Sequence, residues 1–424
     1  MKKITALLIG AGQRGTNAYG AYAQRHPDEL SFAGVVEPRR DRREAFAHAH
    51  NIPVEFQFED WREALTHSRF ADCAFICTQD REHFAPAMAA LNHGYHVLCE
   101  KPMSPEKNEI LALADEAERT GLTLSVCHVL RYSPFFTAIK RLLDGGAIGQ
   151  LVCIEHLESV GYWHAAHSYV RGNWRKSEVS PMILAKSCHD TDILQWLAGS
   201  ECECVTSFGS LAHFNAAHAP EGAPARCTDG CKHQNTCPYY APRFYLHHVN
   251  ARSGGFISVL TLDQTSDGVM KALREGPYGR CVYHCDNDVV DHQTVQLRFQ
   301  NGVHASFVMS AFTKYNERVI NLMGSRGQIR GNMDKNVVEL WDFATGSHTT
   351  IGVDPLAGEH NGSDDAMLSA FTELLRGEQG TENITDARSS AKSHLVALAA
   401  EKSRLMGGMP VDMAAFAQEQ KTER

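Results

Sequence analysis

Two short stretches near the start of the chain have residue types and spacings suited to redox chemistry. Gly10-Ala11-Gly12-Gln13-Arg14-Gly15 is a G-x-G-x-x-G turn. Gly10 and Gly12 permit a tight bend and close approach of the backbone to a pyrophosphate. Gly15 lets a helix pack on its strand, and the helix start offers N–H groups to phosphate. Further on, Glu100-Lys101-Pro102 ends a second apolar run, His96–Cys99. A lysine there can hydrogen-bond a substrate hydroxyl, and partial desolvation would lower its pKa toward a useful range. A dinucleotide site with an amine beside it implies hydride transfer.

The elements that must position these groups are legible as apolar, β-rich runs at 4–10, 31–37, 72–78, 96–101 and 122–128, separated by helix-like segments such as Pro86–Gly94. Near-continuous apolar strands alternating with helices predict a doubly wound parallel sheet covered on both faces. In such sheets ligands bind at the carboxyl ends of the strands. Glu37 closes the 31–37 run, placed to accept hydrogen bonds from adenosine ribose hydroxyls. Its charge favours NAD over NADP, although Arg39 and Arg40 keep NADP as the alternative. The loop after 72–78 places Thr78 and His83 in the same crevice. His83 either lines the cofactor pocket or sits in the first turn of the next helix.

Composition narrows the class. Of 424 residues, 43% are hydrophobic and 21% charged, which suits a globular protein of two domains. A formal charge of −9 offers no basic face to nucleic acid or anionic lipid, and no apolar run approaches the ~20 residues of a membrane helix. The first strand starts almost at once, so the expected location is the cytoplasm. Thirteen cysteines, an odd number without an export signal, are expected mostly reduced. Cys73, Cys77, Cys99 and Cys127 fall in or beside strand-like runs, as small buried hydrophobes do.

The pattern changes after residue 128, which suggests domains at 1–128 and 129–424. A helix at Ser133–Asp144 precedes a strand at Leu151–Val160. Further strands are expected at 202–209, 255–262, 278–285, 291–299, 302–312, 317–323 and 336–342, then helices at Asp364–Arg376 and Asp386–Met406, with a frayed tail from Gln418 to Arg424. Successive strands without helices predict a large, mostly antiparallel sheet.

The glycine turn paired with Glu100-Lys101-Pro102 resembles the Gfo/Idh/MocA family of sugar and cyclitol oxidoreductases. Thr78, His83, the run Leu91–Cys99, Arg131-Tyr132-Ser133-Pro134, Gly146–Gly149, His189-x-x-Asp192 and Gly324–Ile329 extend the likeness over nearly the whole chain. It implies an α/β architecture: a Rossmann domain, then an α/β domain whose sheet covers the nicotinamide and often builds a homodimer or homotetramer. It also implies that Lys101 is a catalytic lysine, that His189 handles the proton of the oxidised hydroxyl, and that Asp192 orients the histidine or binds substrate. Gln13, Arg14, Glu100 and Lys101 are expected at the cofactor; Arg131, Trp163, Asp192 and Tyr283 at the sugar.

Two features depart from that pattern. Many members carry an aspartate four residues before the histidine, but here Ala185 stands there, followed by Lys186. A second lysine would lower the pKa of Lys101 or His189, bind an anionic group, or steady an alkoxide. An insert also holds Cys227, Cys231 and Cys237, which could bind a structural, non-catalytic zinc with His233, Cys202 or Cys204, or could be a thiol-rich loop or labile disulfide. Tyr162-Trp163-His164, Trp174, Tyr283 and Asp286-Asn287-Asp288 supply aromatic and polar groups suited to a sugar.

Three functions remain open on these grounds. The first is an oxidoreductase for a secondary hydroxyl of a sugar, glycoside or cyclitol. The second is an NAD-dependent glycosidase working by transient oxidation, elimination, water addition and re-reduction, with an anionic sugar conceivable. The third is a non-catalytic sensor.

Overall fold

The computed structural model describes residues 2–251, 255–354, 362–378 and 384–419. Six parallel strands form the first sheet: β1 (Ile4–Ile9), β2 (Leu30–Val36), β3 (Gln57–Phe58), β4 (Cys73–Ile76), β5 (His96–Cys99) and β6 (Leu124–Val126). Their order is β3-β2-β1-β4-β5-β6. The direction of winding reverses between β1 and β4, and there the carboxyl-end loops part to leave a crevice. Successive side chains of β1 take opposite faces. Ala6 and Leu8 pack with Tyr19 and Phe46 from the helices at 14–25 and 40–50. Leu7 and Ile9 pack with Ala87, Leu91 and Leu113 from helices Phe84–Asn92 and Lys107–Thr120. Both faces are covered, which is why these strands read as continuous apolar runs.

The second sheet has nine strands: β7 (Leu151–Gly161), β8 (Cys202–Ser210), β9 (His292–Phe299), β10 (His304–Thr313), β11 (Glu317–Gly324), β12 (Gly327–Asn332), β13 (Val337–Asp342), β14 (His348–Gly352) and β15 (Val411–Asp412). They run β14-β13-β12-β11-β7-β10-β9-β8-β15, antiparallel throughout except for the β7–β10 pair. Strand β9 alternates, with Gln293, Val295, Leu297 and Phe299 buried and Thr294, Gln296 and Arg298 exposed. The inner face packs on helices Pro134–Asp144, Cys188–Ala198 and Ala387–Leu405. The outer face is open, and Val152 and Val308 stand on it exposed.

The long helix Ala387–Leu405 joins the two cores. Ala387 and Ala391 belong to the core of the first sheet, whereas Leu395, Val396 and Ala400 belong to that of the second. Met367, Leu368 and Phe371 of helix Ser363–Leu375 also pack on the first sheet, so the late helices return to the beginning of the chain.

Two expected strands are not strands. Within 255–262 the chain forms a short helix, Ile257–Leu260, and within 278–285 a single helical turn and loops. Their apolar residues instead join helices Ala241–Asn250 and Ser266–Glu275 in a small separate core of Tyr245, Ile257, Val269, Leu273 and Tyr278. A short apolar run reads the same in a buried strand and a small helical cluster. Residues 420–424 of the expected tail lie outside the described residues.

Candidate active site

The three glycines of the first turn serve different ends. Gly10 has φ +101°, and a Cβ there would lie 2.6 Å from the Cys77 carbonyl oxygen. A Cβ on Gly15 would lie 2.3 Å from the Gly10 oxygen and 3.1 Å from the Leu8 side chain. A Cβ on Gly12 would meet nothing within 4 Å. Gly10 and Gly15 are thus required by the fold, while Gly12 keeps open the space in front of the helix start, a cradle for the phosphates of a dinucleotide. Glu37, just past β2, accepts the Ala11 N–H (3.0 Å) on Oε2 and the Arg39 N–H (3.0 Å) on Oε1. A carboxylate has about four acceptor sites, so capacity remains for ribose hydroxyls. Arg39 and Arg40 are engaged by Asp41 and Glu44 in exposed pairs. This set of residues fits NAD.

Several residues expected at the cofactor hold the loops of the crevice together. Arg14 Nε donates to Glu100 Oε1 (2.7 Å), and its Nη atoms reach Asp364 and Tyr19. Glu100 also accepts from the Tyr19 hydroxyl and the Lys101 N–H. Burial works against the Glu100 carboxylate, but Arg14 and Tyr19 hold its pKa below the usual range. The pair ties the first helix to the end of β5. His83 sets Nδ1 2.7 Å from the Pro102 carbonyl and Nε2 3.1 Å from the Thr78 carbonyl, so it links two carboxyl-end loops from a buried position. The Thr78 hydroxyl donates within its own loop, to Glu82 O. Gln13 lies at the mouth of the turn, where a Cβ on Gly255 would come within 3.9 Å of its Nε2.

Lys101 occupies the crevice. The Lys101–Pro102 peptide is cis, and Nζ donates to the Ala185 carbonyl oxygen at 3.0 Å. The Trp174 ring stands 5.9 Å from Nζ, and the Trp174 indole N–H is held by Asp80 at 3.0 Å. Behind the lysine, His394 accepts the Met103 N–H (3.0 Å) on Nε2, with Nδ1 2.6 Å from the Ser390 oxygen. Those partners define a neutral imidazole, and burial with the nearby His128 pushes its pKa down to about 3.

Lys186 is not a free cation. It pairs with Glu158 at 2.9 Å, and Glu158 pairs with Arg318 at 2.9 Å. Arg318 bonds Asp190 at 2.7 Å, which also meets His156 Nε2 at 2.8 Å. Burial opposes the charge on Asp190, but Arg318 and His156 hold its pKa well below the carboxylate range. Two cations offset by two carboxylates weaken the expectation that Lys186 binds an anionic sugar. His189 lies one residue into helix Cys188–Ala198, 8% exposed, with the His128 ring edge-on at 5.8 Å.

Other expected site residues have defined partners within the protein. Both oxygens of Asp192 accept from Arg131, at 2.7 and 2.6 Å, and this buried pair ties helix Cys188–Ala198 to the segment after β6. Tyr283 is buried, its hydroxyl 3.3 Å from His213 Nε2 and its ring beside the cysteine insert rather than Lys101. Asp286 is held by Arg175 and Arg280, and Asp288 by Lys176 and the Ser177 N–H. The Trp163 ring stacks on His164 and Phe244, and its indole N–H reaches the Lys314 carbonyl.

Cys227, Cys231 and Cys237 line one small cavity, joined by Cys281 through the backbone bridge between Arg226 and Arg280. Of the proposed fourth ligands, Cys202 and Cys204 lie on β8, whereas His233 lines the same cavity and sets its Nε2 against the Glu221 carbonyl. Among the described residues no three His, Cys, Asp or Glu side chains are arranged to hold a metal ion.

Glu158, Arg318, Asn316 and His394 were not singled out from the sequence. One signal was available for Glu158. In β7, Ile154, His156, Glu158 and Val160 share the buried face, and two polar groups among inward positions need buried partners.

The chain belongs to the Gfo/Idh/MocA oxidoreductase family. Residues 4–128 match its NAD-binding Rossmann fold and residues 140–422 its C-terminal alpha/beta domain. The chain is 28% identical over 222 residues to an inositol 2-dehydrogenase of Streptomyces avermitilis, covering 51% of this chain and 60% of that protein. It is 27% identical over 213 residues to a 2,7-anhydro-N-acetylneuraminate hydratase of Escherichia coli, covering 49% and 54%. It therefore spans between half and two thirds of the length of these two relatives. In fold it resembles a levoglucosan dehydrogenase solved with NADH and levoglucosan, with a TM-score of 0.71 at 17% identity over 97% of this chain and 100% of that one.

Proposed function

We propose that this protein is an NAD-dependent dehydrogenase that oxidises a secondary hydroxyl of a sugar, glycoside or cyclitol. The observation that carries the reading is the placement of Lys101, in the crevice at the carboxyl end of β5 and hydrogen-bonded to the backbone at Ala185. Gly10, Gly12, Gly15 and Glu37 would hold the dinucleotide, with Gln13 and Thr78 at the rim. Bound NAD+ would supply a hydride acceptor. Lys101 would donate a hydrogen bond to the hydroxyl oxygen and steady the alkoxide as it forms. The proton would pass to a neighbouring imidazole, the role that the family resemblance gives to His189. The relatives that act on inositol and levoglucosan support a polyhydroxylated ring as substrate.

A second reading rests on Ala185 occupying the chain position where many members carry an aspartate, and on the hydratase relative. It is a glycosidase that oxidises, eliminates, adds water and reduces again. One assay separates the two: absorbance at 340 nm with NAD+ and a panel of sugars and chromogenic glycosides, with aglycone release followed together. NADH accumulating with substrate supports the dehydrogenase. Aglycone release that requires NAD+ and leaves no NADH supports the glycosidase. Neither signal across the panel defeats both.

We also propose a cytoplasmic homodimer or homotetramer, assembled through the open face of the second sheet. No helix among the described residues is long and apolar enough to cross a membrane.

A further inference from the structure

Sulfur is concentrated in one place that the dehydrogenase reading does not use. Cys227, Cys231, Cys237 and Cys281 line a single small cavity together with the buried Arg171. Two of the four are set by backbone pairing. Arg226 and Arg280 form an antiparallel bridge, flanked by bonds from Cys227 N–H to Gly279 O and from Cys281 N–H to Ala225 O, each 2.8 Å. Cys227 and Cys281 each follow a bridged residue, so their side chains leave the pair on the same face. Cys231 and Cys237 belong to the loop that follows, where the Cys237 N–H bonds the His233 carbonyl at 2.8 Å.

Donors are aimed at these sulfurs. The Tyr239 N–H favours the thiolate of Cys237 and the Tyr283 N–H that of Cys281, with the same two-residue offset in both. Arg171 sets Nη2 3.7 Å from Cys227 Sγ, and its other bonds go to the carbonyls of Arg280 and Tyr239, both at 2.7 Å. No carboxylate pairs with this guanidinium among the described residues. A buried cation without an anion is costly, and thiolates in the cavity would supply the missing charge. His233 also lines the cavity, but its Nε2 faces the Glu221 carbonyl at 2.9 Å and so carries a proton.

We propose that this cavity is a structural zinc site whose four ligands are Cys227, Cys231, Cys237 and Cys281. Four thiolates around one soft divalent ion is the closed arrangement of structural zinc. In the arrangement described no three side chains converge on one ion, so binding requires the sulfurs to turn inward. A cysteine does this by rotation about one bond, between staggered positions. Each thiol releases its proton to water as its sulfur takes the ion, and the centre that results carries net negative charge beside Arg171. Arg171 lies three residues before Trp174, whose ring stands 5.9 Å from Lys101 Nζ, so the ion would brace one wall of the crevice. The proposal stands apart from the dehydrogenase reading.

Metal content and a cobalt probe test it without any sugar. Elemental analysis of the full-length protein, from cells grown with zinc, should find about one zinc per chain. After a chelator and a reductant have stripped the metal, Co2+ alone is titrated in. It should give the intense visible bands of tetrahedral cobalt and a near-ultraviolet thiolate-to-cobalt band, both abolished by zinc. Cys231→Ser and Cys281→Ser should each weaken Co2+ binding by about tenfold or more. Cys285→Ser and His233→Gln should leave the spectrum unchanged. The titration of the unmodified chain decides the matter even if a variant fails to fold. Weakly coloured, six-coordinate cobalt, or no uptake at all, would overturn the proposal. So would loss of the spectrum in His233→Gln with Cys281→Ser unaffected, or iron with acid-labile sulfide in place of zinc. A disulfide between any two of the four, seen by peptide mass spectrometry of the unreduced protein, would overturn it as well.

Discussion

The ammonium group of Lys101 donates to the backbone carbonyl of Ala185 at 3.0 Å, across the crevice between the two domains. Many members of the family have an aspartate at this position in the chain. Here a neutral oxygen orients the lysine without adding charge, and the nearest carboxylate to Lys186 comes from Glu158 on β7. The consequence is a site whose cations are positioned by the backbone and by a buried ion network.

Lys101→Ala should abolish most turnover, by about a hundredfold or more, because both the hydrogen bond to the hydroxyl oxygen and the charge opposite the alkoxide are lost. Lys101→Arg should not restore it, since the planar guanidinium cannot occupy the position of a compact ammonium. Steady-state rates at 340 nm check both. Unchanged kcat in Lys101→Ala would remove the lysine from the mechanism.

Gly12→Ala and Gly15→Ala should separate binding from folding. The new Cβ at 12 meets no protein atom, so the melting temperature should hold while NAD+ affinity falls at least tenfold. At 15 it collides with the Gly10 carbonyl, so the fold should be destabilised before any ligand is added. Calorimetric titration and thermal melting of each variant distinguish the two effects.

Glu158→Gln should cost stability of about 3–5 kcal/mol, because it leaves Lys186 and Arg318 facing one fewer carboxylate in a buried setting. Denaturant unfolding measures this. A loss below about 1 kcal/mol would mean that the network is dispensable.

Acid should destabilise the protein well before its carboxylates are protonated. Burial lowers the pKa of His128 to about 4, and those of His167 and His394 to about 3. The folded state keeps these rings neutral while the unfolded chain takes up protons near pH 6.5. Their contribution is therefore present above pH 6.5 and lost as the pH falls toward 4 and 3. Each ring costs about 1.4 kcal/mol per pH unit, or about 2 kcal/mol by pH 5. Melting temperatures between pH 7.5 and 5 should fall steeply, and less steeply in His394→Gln. A flat profile would contradict the buried neutral state.

If the open face of the second sheet joins subunits, Val308→Glu on β10 should lower the mass seen by light scattering without lowering the melting temperature of the released protomer. Val308 is 38% exposed and its side chain adds nothing to the core. An unchanged mass would place the contact elsewhere.

The glycine turn, the parallel strands and Lys101 were legible in the chain because their physics is local. A tight turn needs Gly10 within a few residues of its strand, and a strand buried on both faces needs a continuous apolar run. The alternation in β9 likewise announced a half-wet sheet. The segments 255–262 and 278–285 misled because an apolar stretch of eight residues does not say what it will pack against. The partners of charged groups were decided by tertiary structure alone. Arg14 meets Asp364, Arg131 meets Asp192, Lys186 meets Glu158, and His394 reaches the loop after Lys101. No local rule relates such positions, since each pairing exists only after two sheets and the helix between them have packed. The chemical groups are written in the order of residues, but which of them face a substrate and which brace the walls depends on how the distant segments close.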